Sequence, residues 1–243
     1  MSQERLDKLI TSQGTLSRLE AKKLIKSNLV RVNGAIIKKP EEKFDAEKVK
    51  IEINGKLIEF RRYVYIMLNK PKGIVSASRG KNQETVIDLV PDKLFRDGLF
   101  PAGRLDSDTT GFVLITDDGD FAHQILSPKS HVKKTYVATL AEPISEEKVE
   151  MLESGIKLAD GTECMSAEIE MIDTETQRVV QIKICEGKYH QIKRMFAAVG
   201  NKVTELKRVA MGDLQLDTNL ELGKCREITK EELKLVRNFT KNL

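Results

Sequence analysis

With 243 residues, 40% of them hydrophobic and 32% charged, the chain is long enough for one or two domains with a full apolar core. No stretch approaches the roughly 18 consecutive apolar residues of a membrane-spanning helix, and MSQERLDKLI has neither the charged-then-apolar pattern nor the cleavage site of a secretory signal; no membrane partner and a cytoplasmic location are expected. Cys164, Cys185 and Cys225 are odd in number and 20 or more residues apart, and neither they nor His123, His131 and His190 show metal-ligand spacing, so free thiols and no metal site are expected.

The net charge of +4 hides an asymmetry. Residues 1–62 carry 15 Lys/Arg against 9 Asp/Glu, whereas residues 63–243 carry 26 against 28. A basic head on a nearly neutral body points to an anionic partner held by the head, with nucleic acid the leading candidate.

In GTLSRLEAKKLIKSNLVRVNGAIIKKP, Ser17 and Glu20 have capping-box spacing and start a short helix with Leu24 and Ile25 on one side. Arg18, Lys22 and Lys26 recur every fourth residue and form one basic stripe. Val30 and Val32 alternate before Asn33-Gly34 and Ala35-Ile36-Ile37, which signals a hairpin with a type I′ turn. Asn54-Gly55, between VKIEI and KLIEF, signals a second. This head resembles the S4 RNA-binding domain over roughly residues 3–60. That resemblance implies that Arg5, Lys8, Ser17, Arg18, Lys22, Lys26 and Arg31 face RNA phosphates, reading shape rather than sequence.

After EFRR the composition changes, placing a domain boundary near residue 61: a head over 1–60 and a body over 61–243. YVYIMLNKPKG reads as an apolar strand entering a turn at Asn69 to Gly73. Further strands are expected over 112–116, 134–140, 166–172, 178–185 and 203–210, with helices near 119–126, 145–153 and 190–199. Strands outnumber helices and tight loops join several of them, so the body is expected to be α+β, with a mixed, mostly antiparallel sheet flanked by helices.

GRLDSDTTG, residues 103–111, admits three chemistries. As an EF-hand, Asp106, Asp108, Thr110 and Gly111 would take loop positions 1, 3, 5 and 6, and Asp117 position 12. The β-branched and aromatic run FVLIT would then fill loop positions 7 to 11, and Asp117 is a methylene shorter than the Glu that position 12 prefers. As a D-x-D-x-T phosphoryl-transfer motif it would need its first Asp at the end of a buried parallel strand, yet PAGRL precedes it. In the third reading Asp106 alone is a reactive carboxylate, and Asp108, Thr109 and Thr110 shape the turn.

Two distant segments favour the third. Tyr136 lies mid-strand in KKTYVATL, where by itself it reads as a core aromatic. In EGKYHQIKRMFAAVGN, Ile192, Met195, Phe196 and Val199 form a buried helical stripe and Gly200-Asn201 ends the helix. His190, Lys193 and Arg194 fall on the other side. A cationic first turn opposes the helix dipole, so an RNA phosphate or a carboxylate should compensate it.

AGRLDSDTTGFVLITDDG, SPKSHVKKTYVATL and EGKYHQIKRMFAAVGNKV together resemble the pseudouridine synthases of the RsuA class, which also carry an N-terminal S4 domain. The resemblance runs in order over nearly the whole chain. It implies isomerisation of uridine to pseudouridine: the bond from ribose C1′ to uracil N1 breaks, the base turns, and C1′ rejoins at C5, with no cofactor. By the same likeness Asp106 is the catalytic Asp, which would attack C1′ or the uracil ring or deprotonate C2′. Arg104 would fill the space left by the flipped nucleotide, with Leu105, His190, Gln191 and Arg194 beside the substrate. Tyr136 would stack on the uracil and help remove the C5 proton. Lys193 would pair with the catalytic Asp and offset the cost of desolvating it.

Within the class, DTTG, TDDG and KRMFAAVGN look closest to the synthases of small-subunit (16S) ribosomal RNA, and the implied partner is that RNA within a small-subunit assembly intermediate, met by a monomeric enzyme. Relatives acting on large-subunit (23S) RNA more often show D-T-E-G and T-N-D-G, and many have Arg where Lys193 stands. The rivals are thus a 23S rRNA synthase and a non-catalytic S4 RNA-binding protein.

Overall fold

The computed structural model describes residues 3–14, 16–46, 48–58, 60–127, 130 and 132–237. His131 and the Pro128–Lys129 pair of the SPKSHV segment lie outside them. The chain forms two compact units, Met1–Val64 with Pro91–Leu99, and Tyr65–Val90 with Phe100–Leu243.

The first unit begins with β1 (Gln3–Arg5), α1 (Leu6–Thr11) and α2 (Arg18–Lys26). Ser17 and Glu20 make the expected capping box at the start of α2, the Ser17 hydroxyl accepting from the Glu20 amide and the Glu20 carboxylate accepting from the Ser17 amide at 2.8 Å. Two orphan amides at the helix start are thereby satisfied. Strands β2 (Val30–Val32) and β3 (Ala35–Ile36) form the first hairpin. After β4 (Lys43–Asp45), which pairs with β1, β5 (Ile51–Ile53) and β6 (Lys56–Ile58) form the second.

Both Asn-Gly turns place each of their residues at positive φ, 50° and 85° for Asn33 and Gly34, 51° and 75° for Asn54 and Gly55, as a type I′ turn demands. The two hairpins join through β2 and β5 into a four-stranded sheet. Leu6, Leu9, Ile10, Ala21, Ile25, Val30, Val32 and Ile51 are buried together as its core.

The second unit opens with β7 (Tyr65–Lys70), which runs two residues into the segment read as a turn. The chain turns after Pro71, at Lys72-Gly73, and Lys70 is wholly buried. Next come β8 (Phe100–Pro101), β9 (Thr110–Thr116), α3 (Gly119–Leu126), β10 (Lys134–Leu140), α4 (Glu146–Glu153), β11 (Glu168–Met171) and β12 (Val179–Ile184). Helix α5 (Gln191–Ala198), β13 (Val203–Met211), β14 (Leu214–Gln215), β15 (Cys225–Glu227) and α6 (Lys230–Arg237) complete it.

Seven strands run in the order β11-β12-β10-β13-β9-β7-β15, with β14 on β13 and β8 on β9. Among the described strand pairs only β9 with β13 is parallel, so the sheet is mixed and mostly antiparallel, as its strand-rich sequence required. Phe112, Leu114, Phe121, Ile125, Met211 and Val236 are buried in one core that packs α3 and α6 with the sheet.

Three local features position the site. The register of β10 against β13 shifts between Thr135 and Tyr136, so that Thr135 faces Ala210 and Tyr136 faces Arg208. Such a bulge re-aims the side chain that follows it. Helix α5 buries Ile192, Met195 and Phe196 as its spacing predicted. It ends in a Schellman motif, the Asn201 amide donating to Phe196 O and the Gly200 amide to Ala197 O, with Gly200 at φ 72°.

Candidate active site

The segment between β8 and β9 contains Asp106, and its backbone is held by side chains from elsewhere. Lys70 Nζ donates to the carbonyls of Pro71, Asp106, Ser107 and Thr109 at 2.9–3.2 Å. Ser76 Oγ donates to Leu105 O at 3.0 Å and accepts from the Leu105 amide at 3.1 Å. Burial pushes the Lys70 ammonium down to about 8, a shift that Asp108 and Asp106 oppose.

The hydroxyls of the segment do less than turn chemistry suggests. Thr109 Oγ1 is buried without a partner, and Thr110 Oγ1 reaches only Leu206 O at 3.5 Å. What fixes this loop is a lysine at the end of the neighbouring strand. The cue was a Lys after an apolar run and before a Pro, a pattern that by itself reads equally well as an exposed turn.

Strand β9 also disposes of the cation loop. Thr110–Thr116 is extended, so Asp117 stands about 20 Å further along the chain, at roughly 3.3 Å per residue. The phosphoryl-transfer reading lacks its scaffold as well, because the strand before Asp106, β8, is two residues long and antiparallel to β9.

Asp106 opens into a shallow, solvent-open cleft. Arg104, Leu105, Tyr136, His190, Gln191 and Lys193 share its lining. Asp106 Oδ1 lies 3.4 Å from His190 Nε2, and Oδ2 lies 3.4 Å from Lys193 Nζ. Lys193 makes a closer contact with Asp108, at 2.5 Å, and this hydrogen bond holds the Asp108 carboxyl below the ordinary range. Lys193 therefore bridges two carboxylates of one loop.

Carboxylates answer the cationic start of α5 at three points. Asp106 and Asp108 meet Lys193, Asp160 meets Arg194 at 2.5 Å, and Glu186 accepts from Lys188 Nζ at 2.5 Å and from Gln191 Nε2 at 2.8 Å. Burial acts against the Glu186 charge, but these donors and the Met165 amide outweigh it and keep its carboxyl low. Gln191 is thus buried in a cap, and Arg194, paired to Asp160, is not part of the pocket lining.

Tyr136 is buried at the pocket wall, and the Arg208 guanidinium carbon lies 6.0 Å from its ring centroid. Arg208 is itself buried and donates through Nε to Phe112 O at 2.7 Å. It supports the tyrosine from β13, a role with no local sequence signal because it depends on register. Arg208 also adds to the burial that pushes Lys134, whose Nζ donates to Cys185 O, down to about 8.

In the first unit the residues expected at RNA divide by setting. Arg18, Lys22 and Lys26 are exposed along α2, whose adjoining face buries Ala21 and Ile25. Arg5 forms a bidentate pair with the buried Asp7, Lys8 pairs with Glu4 at 3.3 Å, and Arg31 donates to Gly34 O at 3.1 Å. Ser17 is occupied as the α2 cap.

The site is thus a carboxylate flanked by a histidine and a lysine, walled by a tyrosine and set on a mixed sheet. The RNA pseudouridylate synthase family model matches residues 64–198 and the S4 domain model residues 4–49, so the chain belongs to the pseudouridine synthase family and carries an S4 domain. It is 42% identical to the Uncharacterized RNA pseudouridine synthase YtzG of Bacillus subtilis, over 96% of this chain and 98% of that one. The Ribosomal small subunit pseudouridine synthase A of Haemophilus influenzae is 41% identical over 96% and 100% of the two chains. A crystal structure of a pseudouridylate synthase matches at 40% identity with a TM-score of 0.67, covering 96% of this chain and 99% of that one. The rival of a non-catalytic S4 protein therefore falls.

Proposed function

We propose that this enzyme converts a specific uridine of small-subunit ribosomal RNA to pseudouridine, with Asp106 as its catalytic carboxylate. The 3.4 Å approach of both His190 and Lys193 to Asp106 in an open pocket carries the assignment, because it leaves a reactive carboxylate aimed at space rather than sealed in an ion pair. The small-subunit relatives, at about 40% identity over nearly the whole chain, support the substrate.

In this reading residues 1–60 hold the RNA and residues 61–243 carry out the chemistry. The uridine turns out of its stack into the pocket, a step costing a few kcal/mol that Arg104, exposed beside Asp106, offsets by occupying the gap. Tyr136 packs on the uracil, with Arg208 behind it. Asp106 supplies the carboxylate for cleavage of the C1′–N1 bond. After the base has turned and C1′ has joined C5, Tyr136 assists loss of the C5 proton. Lys193 balances the charge of Asp106 where solvent is displaced, with His190 beside it.

Asp106→Asn is expected to abolish pseudouridine formation in a small-subunit rRNA transcript while leaving RNA affinity in place; appreciable turnover by the variant would remove Asp106 from its role. Carbodiimide mapping of ribosomal RNA from cells with and without the gene reads the substrate directly. A lost signal in 23S rather than 16S RNA would transfer the activity to the large subunit.

A further inference from the structure

Immediately outside the pocket stands an aromatic ring, that of Tyr189, which the chemistry above does not use. The Tyr189 and His190 rings are stacked, with centroids 3.8 Å apart and planes 19° from parallel. Tyr189 is 73% exposed, the most exposed of the large apolar side chains among the described residues. His190 lines the pocket and approaches Asp106, so the stack begins at the reactive carboxylate and ends in solvent.

The turn beneath the stack is braced. Arg194 Nη1 donates to Tyr189 O at 3.2 Å while its Nη2 contacts Asp160. Lys188 Nζ is held by Glu186 and by the Glu163 carbonyl. His190 adopts a left-handed conformation, φ 47° and ψ 35°, directly before α5. A non-glycine residue accepts that conformation when surrounding structure imposes it, and here it sets the two rings face to face. Exposed rings fixed in advance lose little freedom on meeting a flat partner.

We infer that Tyr189 is a stacking platform for an RNA nucleobase next to the flipped uridine. The inference rests on the proposed RNA substrate and extends its site by one nucleotide. The face is aromatic rather than cationic, which suits a base and not a phosphate. Every base offers a π surface to such a platform, so it contributes affinity and position more than choice of sequence. Tyr136 inside the pocket and Tyr189 outside it then hold two bases of one splayed strand, with His190 between them.

The chain contains no tryptophan, which makes the test direct. In Tyr189→Trp the single indole reports on its own face: titration with a small-subunit rRNA transcript is expected to quench its emission, in step with binding followed on filters. Tyr189→Ala is expected to bind that transcript roughly 5- to 100-fold more weakly. Tyr189→Phe should restore affinity, and Tyr189→Leu, apolar but unable to stack, should not.

Indole emission unchanged at RNA saturation, or Tyr189→Ala affinity within twofold of the parent, overturns the platform. Pseudouridine formation by the unsubstituted enzyme is measured on the same transcript. Turnover there with no effect at position 189 removes the platform alone, and absence of turnover removes the substrate reading while the quench and affinity are still read.

Discussion

The two units use their positive charge in opposite ways. In the first, Arg18, Lys22 and Lys26 stand exposed in a row on α2, each in high dielectric and open to screening by salt. In the second, Lys70, Lys134 and Arg208 are buried, and each donates to backbone carbonyls. An exposed cation attracts an anion at long range but places nothing within an ångström. A buried one costs desolvation, and in return fixes the groups that satisfy it. In the proposed function the first kind holds RNA, and of the second kind Lys70 shapes the loop that carries Asp106.

The comparison is tested hardest at Lys70. Lys70→Met leaves the carbonyls of Pro71, Asp106, Ser107 and Thr109 without their shared donor, so urea denaturation should show a loss of about 2–4 kcal/mol. Turnover should fall at least tenfold as the loop loosens. A variant as stable and active as the parent would show that the loop needs no buried cation. Lys70 also leaves a mark on pH dependence. Its folded-state value near 8 lies below the ordinary 10.5, so its charge opposes folding below pH 8 and that burden lifts as pH rises toward 10.5.

A partly buried case lies between the two. Arg226 joins Asp217 and Glu232 at 2.6 and 2.7 Å and ties α6 to β15, and the Arg226 hydrogen bond draws Glu232 from 4.5 down to about 2. A lowered carboxyl stabilises the fold above its unfolded value and loses that contribution as pH falls from about 4.5 to 2. With a quarter of the side chain exposed, the loss should be no more than about 3 kcal/mol. Glu232→Gln should flatten the acid limb of the stability profile; an unchanged limb would show the pair to be energetically silent.

The smallest effect on folding is expected at the exposed stripe. Replacing Arg18, Lys22 and Lys26 together by Ala should change stability by less than about 0.5 kcal/mol beyond the propensity gain. The slope of log affinity against log salt for rRNA should fall by about 2. Turnover at saturating RNA should persist. An undiminished slope would move the electrostatic contact off α2.

Much of this was legible because it was local. The capping box at Ser17 and Glu20, the two Asn-Gly hairpins, the buried stripe of α5 and its Gly200 terminus depend on residues within a few positions of one another, and each formed as its spacing required. The strands expected over 134–140 and 203–210 differ from β10 and β13 by at most one residue. Asp106, Tyr136 and Lys193 were identified through resemblance, and the fold brings all three to one pocket.

The rest was decided at longer range. No sequence pattern distinguishes Lys70, buried under a loop nearly forty residues away, from a lysine in an exposed turn. Arg208 supports Tyr136 only because the β10–β13 register slips by one residue at that point. Lys193 divides itself between Asp106 and Asp108, where resemblance implied a single partner. Sequence by itself determined many of the elements and the charge asymmetry, because periodicity, capping and composition act over a few residues, and resemblance singled out Asp106 for the proposed chemistry. Only the tertiary structure decided which cations are buried and what they hold, because burial is a property of how distant segments pack and desolvation sets the energy of a charge more strongly than its neighbours in the chain.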